Sequence, residues 1–112
     1  MDRIEVYKEV LKEELEDRAT VINSDFPDVR MHLIHNESLT DFILIRFGWH
    51  EHSYRHHVVF HFQIIDDKIW LHQNNTDVPI GEILAEKGIS KSDIVIGFIG
   101  ELERGLEGYG VA

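Results

Sequence analysis

The chain has no cysteine, only two prolines and no long apolar run. The first absence excludes a disulfide framework, a thiol nucleophile and a thiolate metal site. The third excludes a spanning helix, because no apolar stretch approaches the ~20 residues needed to cross a bilayer. The opening residues are acidic and amphipathic instead of forming an apolar signal core, so a soluble cytoplasmic protein is expected. Positive charge is also scarce. Eleven lysines and arginines stand against 21 acids, a formal net charge of −10. Phosphate neutralisation dominates non-specific nucleic-acid affinity, so direct contact with nucleic acid is not expected. Catalytic signatures are missing as well. The glycines fit neither GxxxxGK nor GxGxxG, and Ser24, Ser38, Ser53, Ser90 and Ser92 sit in turn or cap contexts, none in a nucleophile elbow. The expectation is a non-enzyme without catalytic residues and without a cofactor.

What is present suffices for one core. At 112 residues, 43% hydrophobic and 29% charged, the chain reads as a single domain over 1–112. Charge is segregated. Residues 1–28 carry nine acids against four bases, and residues 77–112 carry seven against three. The centre, 29–76, is nearly neutral with five acids and four bases, and it holds all eight histidines. Such acidity suits solubility and a basic partner.

The pattern predicts an α+β fold. Ile4, Tyr7, Leu11 and Leu15, with Val10 beside them, recur at helical spacing, so an amphipathic helix is expected over 2–19. Asp2 and Glu5 have capping-box spacing. Turn composition at Asn23–Asp28 should end this helix. Strand-like runs follow at 29–35, 42–49, 56–65 and 68–73. Connections of two to six residues between them favour an antiparallel meander of about four strands. A four-residue loop over Glu51–Tyr54 would set Phe47 opposite Val58, Ile45 opposite Phe60 and Ile43 opposite Phe62. The opposite face, with Arg46 and His61, is mixed enough to be covered by another subunit. A short helix is expected over 77–88, capped by Thr76 or Asp77, started by Pro79 and stopped by Gly88. Ser90–Asp93 has capping-box spacing, Ile94–Phe98 is strand-like, and an extended glycine-rich tail ends in Tyr109, Val111 and Ala112.

Four constellations invite a chemical reading. His50, His52, His57 and His61 surround the expected hairpin tip and are candidate metal ligands. Strand alternation would put His57 and His61 on one face and His56 on the other. No carboxylate stands at a recognised metal spacing with them, so the preferred reading has no metal site. Protonating all eight histidines would cancel eight of the ten net negative charges as the pH falls through ~6.5. Trp49, Trp70 and Tyr109 are interaction candidates, although aromatic residues of this kind more often pack in a core. Arg46, Arg55 and Lys68, with the histidines, are the only basic material for a DNA-facing patch, and these bases are dispersed in sequence. Conversely, the acidic first helix with Glu101, Glu103 and Glu107 can present a phosphate-like surface to a basic partner.

Taken together, several segments resemble one family. Phe47-Gly48-Trp49 closes a strand. Ile64-Ile65-Asp66-Asp67-Lys68-Ile69-Trp70-Leu71 resembles an "aspartate, turn, lysine, isoleucine, tryptophan" core. Gly88 to Phe98 is similar to a Gly-Ile-x-Lys-x-Asp-Ile-Val-x-Gly-Phe run, and Gly108-Tyr109-Gly110-Val111-Ala112 to a Gly-Tyr-Ala-Val-Ala ending. With Asp2, Ile4 and Tyr7 at the start, these segments resemble the XisI family of cyanobacterial excision controlling factors along the whole chain. The chain departs from the pattern in having Asp66-Asp67 where Asp-Gly is common, Asn74-Asn75-Thr76-Asp77 where Asp-Gly-Thr-Glu is common, and more histidines over 50–61. The resemblance implies a controlling factor for excision of a DNA element during heterocyst development. It would act with a recombinase and a nuclease-like XisH partner. A homo-oligomer is expected separately, from the mixed sheet face and the apolar tail. It brings no assigned catalytic residue.

Overall fold

The structure is a computed structural model that describes residues 2–25 and 28–111. Helix α1 (Arg3–Asp25) leads into strands β1 (Val29–His35), β2 (Asp41–His50), β3 (Ser53–Ile65) and β4 (Lys68–Asn74). Helix α2 (Ile80–Glu86), a single 3-10 turn at Lys91–Asp93, strand β5 (Ile94–Ile96) and an irregular tail complete the chain. The sheet has the order β1-β2-β3-β4-β5. Its first four strands form the antiparallel meander expected, while β5 runs parallel to β4. A parallel neighbour needs a long crossover, and α2 with its flanking loops provides it.

Asp2 caps α1 through Oδ1, which accepts from Glu5 N–H at 3.0 Å. The apolar stripe is buried at Tyr7, Leu11 and Leu15. The helix runs on to Asp25, beyond the predicted stop at residue 19. Tertiary contact overrides the local turn preference here. The Asn23 side chain accepts from Met31 N–H at 2.8 Å and donates to Met31 C=O at 3.0 Å, so its amide is satisfied by β1 and not by its own backbone. Of the expected 23–28 turn, Phe26 and Pro27 lie outside the described residues.

The hairpin register differs from the prediction. The turn is two residues, Glu51-His52, and the pairs are Phe42↔Phe62, Leu44↔Phe60, Ile45↔Val58 and Phe47↔His56. Phe42, Leu44, Phe60 and Phe62 are therefore the buried set facing the helices, and Ile43, Ile45 and Phe47 face away. A β-bulge at Val59 makes both Val59 and Phe60 point inward. Asn75 fastens the irregularity, donating from its backbone to Val59 C=O and from its side chain to Val58 C=O. A second bulge at His72 interrupts the β3–β4 ladder between His61↔Gln73 and Phe62↔Leu71.

Helix α2 is shorter than predicted. It starts at Ile80 with no side-chain cap, because Thr76 Oγ1 accepts from Val78 N–H in a local turn instead. Gly88, at φ 103°, does close it, with Ile89 N–H returning to Leu84 C=O. Ile80, Leu84 and Ile89 join the α1 stripe and the inner sheet face in one core. The buried carboxylate of Glu14 links the two helices, 2.9 Å from Arg18 Nε and 2.6 Å from Lys87 Nζ, and holds the Lys87 ammonium above its usual range.

Candidate functional site

The two bulges decide what each face of the sheet carries. Cross-strand partners share a face. Arg46 pairs with His57, and Gly48 with Arg55, on the helix side of the β2–β3 arm. A cavity of about 240 Å³ lies there, lined by Arg46, Gly48, His50, Arg55 and His57, with Val29 at its edge. Arg46 also lines a neighbouring groove of about 500 Å³ whose apolar walls include Val21, Ile22, Met31, Val59, Phe60 and Val78. Arg46 and Arg55, dispersed in sequence, are thus brought to one cavity. Lys68 is not with them and donates to Val111 C=O at 2.7 Å.

The four candidate histidines do not converge. His50 and His57 line the arm cavity, while His52 sits in the exposed turn. His61 pairs with Ile43 on the outer face. Simple alternation places His57 and His61 together, but the extra residue at Val59 reverses the phase between them and puts His56 on the outer side instead. Among the described residues, no three histidine, aspartate or glutamate side chains come together in a way that could hold a metal ion.

On the outer face, His61 meets His72 with ring centroids 4.9 Å apart, and His72 stacks on Trp70 at 5.9 Å. His72 Nε2 lies 2.9 Å from Gln63 Oε1. Burial and the adjacent His61 both lower the His72 pKa, opposed by Asp41. Trp70 is half-buried, with the Arg104 guanidinium 5.2 Å from its centroid. Trp49 is 60% exposed and meets Tyr54 edge-on at 5.4 Å, so it is available for contact. Tyr109 is engaged within the chain. Its hydroxyl donates to Glu82 at 3.0 Å, Lys91 lies over its ring, and burial pushes its pKa up to about 12.

A pH dependence follows from His72. A base whose folded pKa is depressed leaves more protons on the unfolded chain, so stability is intact above the ordinary imidazole value near 6.5 and falls as pH drops below it. Urea unfolding at pH 7.5 and 5.5 should show this loss, and His72→Gln should reduce the difference between the two pH values. An equal difference in the variant would assign the effect to other groups.

One surface has no counterpart among the residues that sequence patterns single out. After β5 the chain forms a loop in which Leu102 is 101% and Leu106 65% exposed, set among exposed Glu101, Glu103 and Glu107. Its signal is leucines among glutamates in a glycine-punctuated stretch, where charge alone draws attention to the acids. A second surface matches expectation. Glu5, Glu9, Glu13, Glu16 and Asp17 make an exposed acidic ridge along α1. Lys8 pairs with Glu5 and Lys12 with Glu16, which leaves Glu9 and Glu13 without an ion-pair partner among the described residues.

No helix among the described residues is long and apolar enough to cross a membrane. The chain matches no curated protein. It is similar to two solved structures from Anabaena variabilis ATCC 29413. One is a XisI-like protein, 36% identical over 95% of this chain and 96% of that one, with a TM-score of 0.82. The other is the fdxN element excision controlling factor XisI, 26% identical over 99% of this chain and 100% of that one, with a TM-score of 0.76. The family model described as XisI protein matches residues 1–111. By sequence along nearly its whole length and by fold, the chain belongs to the XisI family.

Proposed function

We propose that this chain is a non-enzymatic controlling factor for site-specific excision of a DNA element, and that it acts by contact with a basic protein of the excision system, an XisH-like factor or the recombinase. Kinship with an excision controlling factor supports the role. The acidic ridge of α1 is the observation that carries the mode of action. Glu9, Glu13 and Glu16 recur at helical spacing on one exposed stripe, a surface that attracts cationic side chains and repels a phosphate backbone.

The test is co-purification with an XisH-like protein, at low and high salt. Binding should occur and weaken with salt. The triple variant Glu9→Lys, Glu13→Lys and Glu16→Lys should lose at least about tenfold in affinity, consistent with reversing several rim charges. Undiminished binding by that variant would remove the ridge from the mechanism. Failure of the native chain to bind such a protein or the recombinase, or to alter its activity, would overturn the function itself.

The β2–β3 arm favours a second reading, direct DNA contact, because Arg46 and Arg55 converge beside the exposed Trp49. That reading requires the chain alone to shift element-end DNA with a steep salt dependence, and no shift at low salt would end it.

A further inference from the structure

Cations in this chain divide into two groups. Arg3, Lys8, Lys12, Arg18, Lys87 and Lys91, on or beside the helices, each contact a carboxylate. Among the described residues, those of the sheet and tail do not. Arg30 donates to Val29 C=O, Lys68 to Val111 C=O, and Arg104 to Ile99 and Gly97 C=O. Arg46 and Arg55 have neither an ion pair nor a side-chain hydrogen bond among the described residues, although acids outnumber bases by 21 to 11. Both line the arm cavity, and Arg46 connects it to the apolar groove. The combined cleft has a cationic end and an apolar floor.

The chain also displays a segment of the opposite chemistry. Phe98, Leu102 and Leu106 are exposed, and Glu101, Glu103 and Glu107 flank the two leucines. A leucine fully in water forgoes about 2 kcal/mol of available burial. The loop is held in shape. Glu103 and Arg104 N–H both donate to Gly100 C=O, and the Arg104 guanidinium anchors the base of the loop to two carbonyls and the Trp70 face. Its leucines are therefore presented at low ordering cost. Cleft and loop lie on different surfaces, the first on the helix side of β2–β3, the second beyond β5 against the outer face at Trp70.

We infer that the cleft between the β2–β3 arm and α1 receives the 98–107 loop of a second copy, with Leu102 on the apolar floor and the flanking glutamates on Arg46 and Arg55. Such an interface is heterologous, so it builds a head-to-tail assembly that closes into a ring or extends. Nucleic acid suits the cleft less well. Beyond Arg46 the groove is walled by Val21, Ile22, Met31, Val59, Phe60 and Val78, which suit a leucine, and the Arg18 and Lys87 at its margin are already paired with Glu14.

Light scattering after gel filtration, over a range of concentrations, tests this. The native chain should exceed the 13.1 kDa monomer mass at high concentration. Leu102→Glu with Leu106→Glu, and separately Arg46→Glu with Arg55→Glu, should each weaken association by about thirtyfold or more, as loss of an interface hot spot does. Thermal unfolding of each variant checks that it is folded. Mixing the two variants should then yield a one-to-one heterodimer, since one keeps an intact loop and the other an intact cleft. A native chain that stays monomeric at high concentration would overturn the inference. So would an assembly that both variants preserve, or variants that fail to pair on mixing. Loss of DNA binding by the cleft variant with its mass unchanged would assign the cleft to nucleic acid instead.

Discussion

Gly48→Ala is expected to destabilise the fold by about 3 kcal/mol, combining a steric clash with backbone strain. Gly48 lies in β2 at φ 142°, where a side chain is strained. An added Cβ would also stand 2.4 Å from Asp28 C=O, at the point where β1 begins to pair with β2. The obstacle is backbone, so it cannot swing aside as a flexible side chain would. The thermal midpoint should fall by roughly 10 °C for a domain of this size. Gly88→Ala separates the two causes. Gly88 also has positive φ, but a Cβ added there would meet nothing within 4 Å, so only the strain of about 1 kcal/mol remains. Equal losses at the two sites would show that the contact with Asp28 contributes nothing.

Asn23→Ala should cost about 2 kcal/mol, the value of two hydrogen bonds lost to backbone groups that then lack partners. The Asn23 amide serves both polar groups of Met31 and so guards the free edge of β1, which is the outer strand of the sheet. Hydrogen exchange at Met31 should accelerate beyond what global destabilisation explains. Asn23→Asp keeps the acceptor for Met31 N–H but sets a carboxylate oxygen against Met31 C=O, so at neutral pH it should be no more stable than the alanine variant. An aspartate variant close to the native stability would mean that only one of the two bonds matters.

How legible the molecule was depended on whether a feature is local. The α1 stripe of Tyr7, Leu11 and Leu15 is buried as its spacing predicts, and Asp2 caps as its position predicts, because both depend on neighbours within a turn or two. The strand positions of the meander were legible for the same reason. The register was not. A loop of two residues instead of four, and one extra residue at Val59, exchange the faces of Ile43 and Phe42 and part His57 from His61. Neither change leaves a mark in hydrophobic alternation, since β3 is apolar on both sides near the bulge.

The candidate surfaces divide in the same way. The acidic ridge of α1 could be read directly, because helical spacing alone gathers Glu9, Glu13 and Glu16. The meeting of Arg46 and Arg55 could not, because it depends on which residues of two strands face each other across a hairpin. Family membership was visible in the chain itself, in segments from Asp2 to Val111 whose order and spacing survive without reference to a fold. Sequence by itself thus determined the elements, the helix core stripe, the charge balance and the family. Tertiary structure alone decided the faces of the sheet, the basic cleft, the exposure of Leu102 and the separation of the histidines. Periodicity is a property of one segment, whereas register and bulges arise from packing two segments against a shared core.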